Sequence, residues 1–265
     1  MYFNKGYYSS DKDNIFYLAP IPLYIKQYDD ELSDKLFSLG KEVLSEGQQK
    51  MGQELPEKYD DERYSYYNIN YDRKENWVES DSQMPIGSRF FTPPNDFLNR
   101  TEDCVLDVVD RIKLGFKNLI NSLDFDIIVK ESIITESWLQ YYKPTSGLGH
   151  NQHNHSRWSK DEQTNLSFSG GYYLSDGEPL PDHPYSGVFA FHERDRQYMI
   201  RPKKGMLIIW PSDIVHSVKP FYGKSERAVI NFNLHASKVS KNKLLWNLFL
   251  YSGQNLCFLL NQKDI

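Results

Sequence analysis

Met206-Leu207-Ile208-Ile209-Trp210-Pro211-Ser212-Asp213-Ile214-Val215-His216 is a short apolar β run, then a turn, then a histidine. A histidine at the end of such a segment sits at the mouth of a β-structure, where a metal held by it keeps positions open. The surrounding segments share the same short-run character: Asp126 to Lys130, Ile133 to Tyr142, Leu166 to Leu174, Gly187 to Phe191, Gln197 to Ile200 and Arg227 to Leu234. Turn residues separate them at spacings of about 8 to 15, as expected of a sandwich or barrel.

The first half of the chain reads differently. Leu32, Leu36, Leu39 and Val43 recur at three- and four-residue steps, predicting a helix from about Asp29 to Glu46. A second helix is expected from about Asn95 to Leu123, where Phe97, Leu98, Val105, Leu106, Val109, Ile112, Phe116, Leu119 and Ile120 form a broad apolar stripe. Between them, Gly47 to Pro94 is polar and aperiodic and reads as loops. The proline-punctuated stretch Leu18 to Ile25 suits an edge strand, because proline cannot donate to a ladder. The expected fold is therefore α+β and mainly β, with N-terminal helices buttressing a β-barrel. Repeats and low-complexity tracts are absent from the sequence. One composite domain over 1–265 is expected: 1–125 packing on the barrel, 126–236 the core with the metal site, and 237–265 a C-terminal aromatic helix or extension.

Composition removes several classes of function. The 265 residues carry 31 basic and 36 acidic side chains, a formal charge of −5, which argues against a surface built for nucleic-acid phosphates. The one basic cluster, Arg194, Arg196, Arg201, Lys203 and Lys204, is interleaved with Asp195 and apolar residues and reads as a solvated strand edge. Cys104 and Cys257 are far apart, which suits free thiols in a reducing cytoplasm. The start Met1-Tyr2-Phe3-Asn4-Lys5 is not followed by an apolar run, so no secretory signal is expected. The apolar C-terminal stretch Leu244 to Leu260 is interrupted by Asn247, Ser252, Gln254 and Asn255, so no membrane span is expected.

Three of the seven histidines fall within Gly149-His150-Asn151-Gln152-His153-Asn154-His155-Ser156. In an extended segment side chains alternate, so His153 and His155 point the same way and can reach one ion, with His150 on the opposite side. Taken alone, such a cluster is more often a solvated turn or an incidental zinc site than a functional centre. Distant context turns the balance. His216 follows 61 residues after His155 as a third imidazole, and Arg227 comes eleven residues later on the next expected strand. A guanidinium on a strand beside a metal matches the bidentate geometry of a carboxylate.

The ordered set His153-x-His155, His216 and Arg227-Ala228-Val229-Ile230-Asn231-Phe232-Asn233 resembles the 2-oxoglutarate and iron(II)-dependent oxygenase superfamily. It resembles most the bacterial and phage branch in which the short motif is His-x-His. Ser169 to Leu174, Pro202 to Ser212 and His216 to Pro220 match that branch in order, over about Trp138 to Leu234. The resemblance implies a double-stranded β-helix, a jelly-roll or cupin-like barrel, holding iron(II) on His153, His155 and His216. It implies 2-oxoglutarate paired through its distal carboxylate with Arg227 and hydrogen-bonded by Tyr173 and Tyr142, with no catalytic side chain beyond the metal ligands.

Two departures stand out. A third histidine replaces the usual Asp or Glu ligand and removes a negative charge. Val229 stands where many relatives carry Ser, and Asn231, on the same strand face by alternation, is the expected substitute. The superfamily acts on amino-acid side chains, small metabolites, lipids and nucleobases, and the resemblance selects none of these. Two other functions fit the residues: a cupin-like three-histidine dioxygenase that uses no 2-oxoglutarate, and a metal-stabilised structural or interaction protein. The latter would use Trp246, Phe249, Leu250 and Phe258 as a docking or homodimer surface.

Overall fold

The computed structural model describes residues 15–18, 21–28, 31–50, 89–91, 97–122, 127–144, 147, 149–155, 165–193 and 196–240. The C-terminal aromatic segment, Cys257, most of the 47–94 stretch and residues 156–164 lie outside them. Two helices, α1 (Glu31–Lys50) and α2 (Asp103–Ser122), cover one face of a seven-stranded antiparallel sheet. That sheet runs in the order β1 (Ile15–Leu18), β2 (Ile21–Gln27), β9 (Met206–Pro211), β6 (Asn165–Asp176), β11 (Arg227–Ser240), β4 (Ile127–Tyr142), β3 (Arg89–Phe91). A second, four-stranded sheet has the order β5 (His150–His153), β10 (His216–Val218), β7 (Phe189–Glu193), β8 (Arg196–Ile200).

The helices follow from their apolar spacing. On α2, Val105, Val108, Ile112, Phe116 and Leu119 are buried at steps of three and four, one continuous stripe against the sheet. On α1, Leu32, Leu36 and Val43 play the same part. These side chains join Tyr141, Tyr172, Ile209, Ile230 and Phe232 from the sheet in one apolar layer. The opposite sheet face contributes Ile25, Tyr173, Ile208, Trp210 and Val229 to a second layer, closed by Phe189, Phe191, Ile200 and Val218 of the smaller sheet. Continuous apolar runs such as Met206 to Trp210 arise because β9 is buried on both faces.

The expected double-stranded β-helix barrel is corrected here. The two sheets are open and unclosed. Among the described residues no ladder joins the rims β1 and β3 of the larger sheet to the rims β5 and β8 of the smaller one. The apolar layer, not a circuit of hydrogen bonds, holds the sheets together. Strand count and alternation are the same for a barrel and for a layered pair of sheets, so periodicity could not separate them. The proline-bearing strand is also corrected: β2 lies inside its sheet, between β1 and β9. Pro22 is tolerated because β9 pairs with β2 only from Tyr24 to Gln27, beyond the proline.

Gly170 lets β6 lie flat over a ring. A Cβ there would sit 2.2 Å from Phe232 Cζ and 2.8 Å from the Ile208 carbonyl oxygen, distances that require the neighbours to move. Gly170→Ala is therefore expected to destabilise the protein by about 1–3 kcal/mol through overpacking. A urea titration should show a lower midpoint with unchanged slope, and adding Phe232→Leu should recover part of the loss.

Candidate metal centre

β10 is flanked on both sides, by β5 and β7, so its first residue, His216, is buried to 3% exposure between them. Antiparallel pairing sets His216 directly opposite His153. His155 lies just past the end of β5, where its backbone N–H donates to the Ser212 carbonyl at 2.8 Å. One ligand atom from each of the three imidazoles falls within 4.8 Å of the others. Ring centroids are 4.4 Å apart for His153 and His216, 5.0 Å for His155 and His216, and 5.1 Å for His153 and His155. Trp138 stacks on His155 and Phe189 on His216, so apolar rings back two of the three.

The proton positions suit a metal. His153 Nδ1 lies 2.7 Å from the Asn151 carbonyl oxygen and His216 Nδ1 3.0 Å from that of Ile214. A carbonyl only accepts, so Nδ1 carries the hydrogen in both rings and Nε2 keeps its lone pair. Burial first, then the neighbouring His153, push the His216 pKa down to about 3. This imidazole is therefore neutral at ordinary pH, the form that binds metals.

Arg227 opens β11, the central strand between β6 and β4, and is 2% exposed. Its guanidinium lies 4.8 Å from the centre of the Tyr142 ring and 5.4 Å from that of Tyr173. Among the described residues no carboxylate forms an ion pair with it, and its Nη1 is buried without a hydrogen-bond partner. Cation–π contact offsets part of the cost of burying this charge, but an unpaired guanidinium still calls for an anion. Burial pushes the Tyr173 hydroxyl up to about 12, while Arg227 beside it pulls the other way. Tyr173 is thus a neutral donor.

Arg227, Tyr142 and Tyr173 line one cavity together with the three histidines. Its empty space is about 440 Å³ with the open mouth included. All six residues singled out from sequence meet there.

One assignment is corrected. His150 was expected on the opposite side of its strand, yet it lines the same cavity, with its ring 5.4 Å from that of His153. The pairing of β5 with β10 shifts register between His216 and Val218, and the extra residue turns His150 inward.

Residues that sequence reasoning passed over complete the walls. Gln140 sits between Asn231 and His150: Asn231 Nδ2 donates to Gln140 Oε1 at 3.2 Å, and Gln140 Nε2 lies 2.9 Å from His150 Nε2. Their signal was available in the alternation of β4, which sets the polar Glu136 and Gln140 on one face with Trp138 and Tyr142.

Fold and site together define a class: a helix-backed pair of antiparallel sheets with a three-imidazole metal constellation where the sheets face each other. Residues 136–233 match the family model described as "Putative 2OG-Fe(II) oxygenase". Through that segment the chain resembles the 2OG-Fe(II) oxygenase superfamily. Among solved structures, AviO1 from Streptomyces viridochromogenes Tue57 is similar with a TM-score of 0.50 at 11% identity, covering 83% of this chain and 91% of that one, and shares its fold. A prolyl-4-hydroxylase from Pseudomonas putida is similar at 15% identity over 83% of this chain and 94% of its own, with a TM-score of 0.48. The viral collagen prolyl hydroxylase of Paramecium Bursaria Chlorella virus-1 follows at 14% identity, 80% and 96% coverage and a TM-score of 0.43. No curated protein matches the chain. Among the described residues no helix is long and apolar enough to cross a membrane.

Proposed function

We propose that the chain is a non-haem oxygenase that uses iron(II) and 2-oxoglutarate, with His153, His155 and His216 as the metal ligands. One observation carries this reading: three inward-facing imidazoles and a buried guanidinium with an unpartnered Nη1 line the same cavity. Arg227 binds the distal carboxylate of 2-oxoglutarate, which supplies the missing partner for its buried charge. Tyr173 donates its hydroxyl to the same ligand, and Tyr142 covers the guanidinium from the neighbouring strand β4. Trp138 and Phe189 shield two of the imidazoles from water. The chemistry supplied at such a centre when loaded is oxidative decarboxylation of 2-oxoglutarate to succinate and CO2, coupled to oxygenation of a substrate.

The test is spectroscopic first. Protein loaded anaerobically with Fe(II) is expected to develop a weak visible charge-transfer band on addition of 2-oxoglutarate, and to release succinate when O2 is admitted. Metal binding with neither band nor succinate would overturn the assignment in favour of three-histidine chemistry that needs no 2-oxoglutarate.

A further inference from the structure

His153 and His216 are held by backbone carbonyls two residues earlier in the chain, a local constraint that side-chain changes elsewhere leave in place. His155 differs. Its Nδ1 lies 3.0 Å from the side-chain oxygen of Asn233, which is 7% exposed and stands on β11 of the facing sheet. The orientation of that amide follows from its other neighbours. Asn233 Nδ2 donates to Glu136 Oε2 at 2.9 Å, and a carboxylate accepts, so the NH2 group faces Glu136 and Oδ1 faces His155.

Ser169 Oγ, 1% exposed, donates to the same Oδ1 at 2.8 Å. With its hydrogen spent there, Ser169 accepts from Ser212 Oγ, also at 2.8 Å. Every donor in this buried chain therefore runs one way, and His155 Nδ1 must be the donor to Asn233. Antiparallel register underlies the arrangement, since Asn233 stands directly opposite Glu136 on β4 and Ser169 on β6.

We infer that Asn233, itself oriented by Glu136, is the positioning residue that sets the His155 tautomer and leaves Nε2 as its metal-binding nitrogen. This rests on the proposal that the three imidazoles hold a metal. It also assigns Glu136 a compensating part. The cluster contains three imidazoles and no carboxylate ligand, and Glu136 brings a negative charge to it through one amide. Such relayed hydrogen bonding raises ligand basicity, which a three-histidine set otherwise lacks.

The test uses the metal-free full chain and zinc(II) alone as probe. Imidazole 15N–1H correlation spectra are expected to show the hydrogen on Nδ1 of His153, His155 and His216 in the unmodified protein. Asn233→Leu should release His155 to the Nε2–H tautomer, leave His153 and His216 unchanged, and lower zinc affinity by about 10- to 100-fold in chelator competition. Glu136→Gln keeps an acceptor but admits the flipped amide. It should give a mixed His155 tautomer and a smaller affinity loss, and it serves if the leucine variant does not fold. A hydrogen on Nε2 of His155 in the unmodified chain, or variants that change neither tautomer nor affinity, would overturn the positioning role. Nδ1–H on His155, lost in the variants, in a chain that binds no zinc would support the positioning role and overturn the metal reading.

Discussion

Replacing Arg227 with alanine is expected to weaken 2-oxoglutarate binding by about 30-fold to several thousandfold. The figure follows from the roughly 2–5 kcal/mol lost when one partner of a buried, hydrogen-bonded charge pair is removed, at about 1.4 kcal/mol per tenfold. Arg227 is 2% exposed with an orphaned Nη1, and among the described residues no carboxylate pairs with it, so it can take a ligand carboxylate. Calorimetric titration of 2-oxoglutarate into metal-loaded protein under anaerobic conditions measures the effect. Arg227→Lys should fall between the two, since lysine retains the charge and loses the planar fork. An alanine variant that binds 2-oxoglutarate as tightly as the unmodified protein would remove Arg227 from the cofactor site.

The second large effect is expected at His216. His216→Ala should lower the affinity for a divalent metal by about a hundredfold or more, taking roughly 10–16 kcal/mol for a four-ligand zinc site as shared among its ligands. No neighbour substitutes for it, because the strand that carries it is held on both sides and cannot shift another donor into its place. His150→Ala is the internal comparison. His150 lines the cavity but lies outside the group whose ligand atoms converge, so its loss should leave metal affinity within about threefold. Competition between protein and chelator for zinc(II) reads both. If His150→Ala cost more than His155→Ala, His150 would replace His155 in the ligand set.

The parts of the site legible in the sequence are those set by local geometry. The spacing of His153 and His155 puts two imidazoles on one side of an extended chain whatever surrounds them. The apolar run from Met206 announces a buried strand, the turn after it delivers His216 to the start of the next, and Arg227 announces a charge at the start of another. The helices were legible for the same reason: α1 and α2 carry stripes at steps of three and four that require a covering sheet.

His150 escaped this logic because strand parity holds only while the register is regular. The irregularity between His216 and Val218 depends on which strand lies alongside. The chain from Glu136 through Asn233 to His155 was hidden by separation. Glu136 and Asn233 stand 97 positions apart in sequence, and only the pairing of β4 with β11 sets them opposite.

By itself the sequence determined the element types, the two imidazoles of the His-x-His pair, and the family that 136–233 resembles, because periodicity, short spacing and ordered motifs are properties of the chain. Tertiary structure alone decided that the sheets stay open, that His150 turns inward, and that Asn233 faces His155. Each of these depends on which strand lies beside which and in what register, a relation between distant segments that no local pattern encodes.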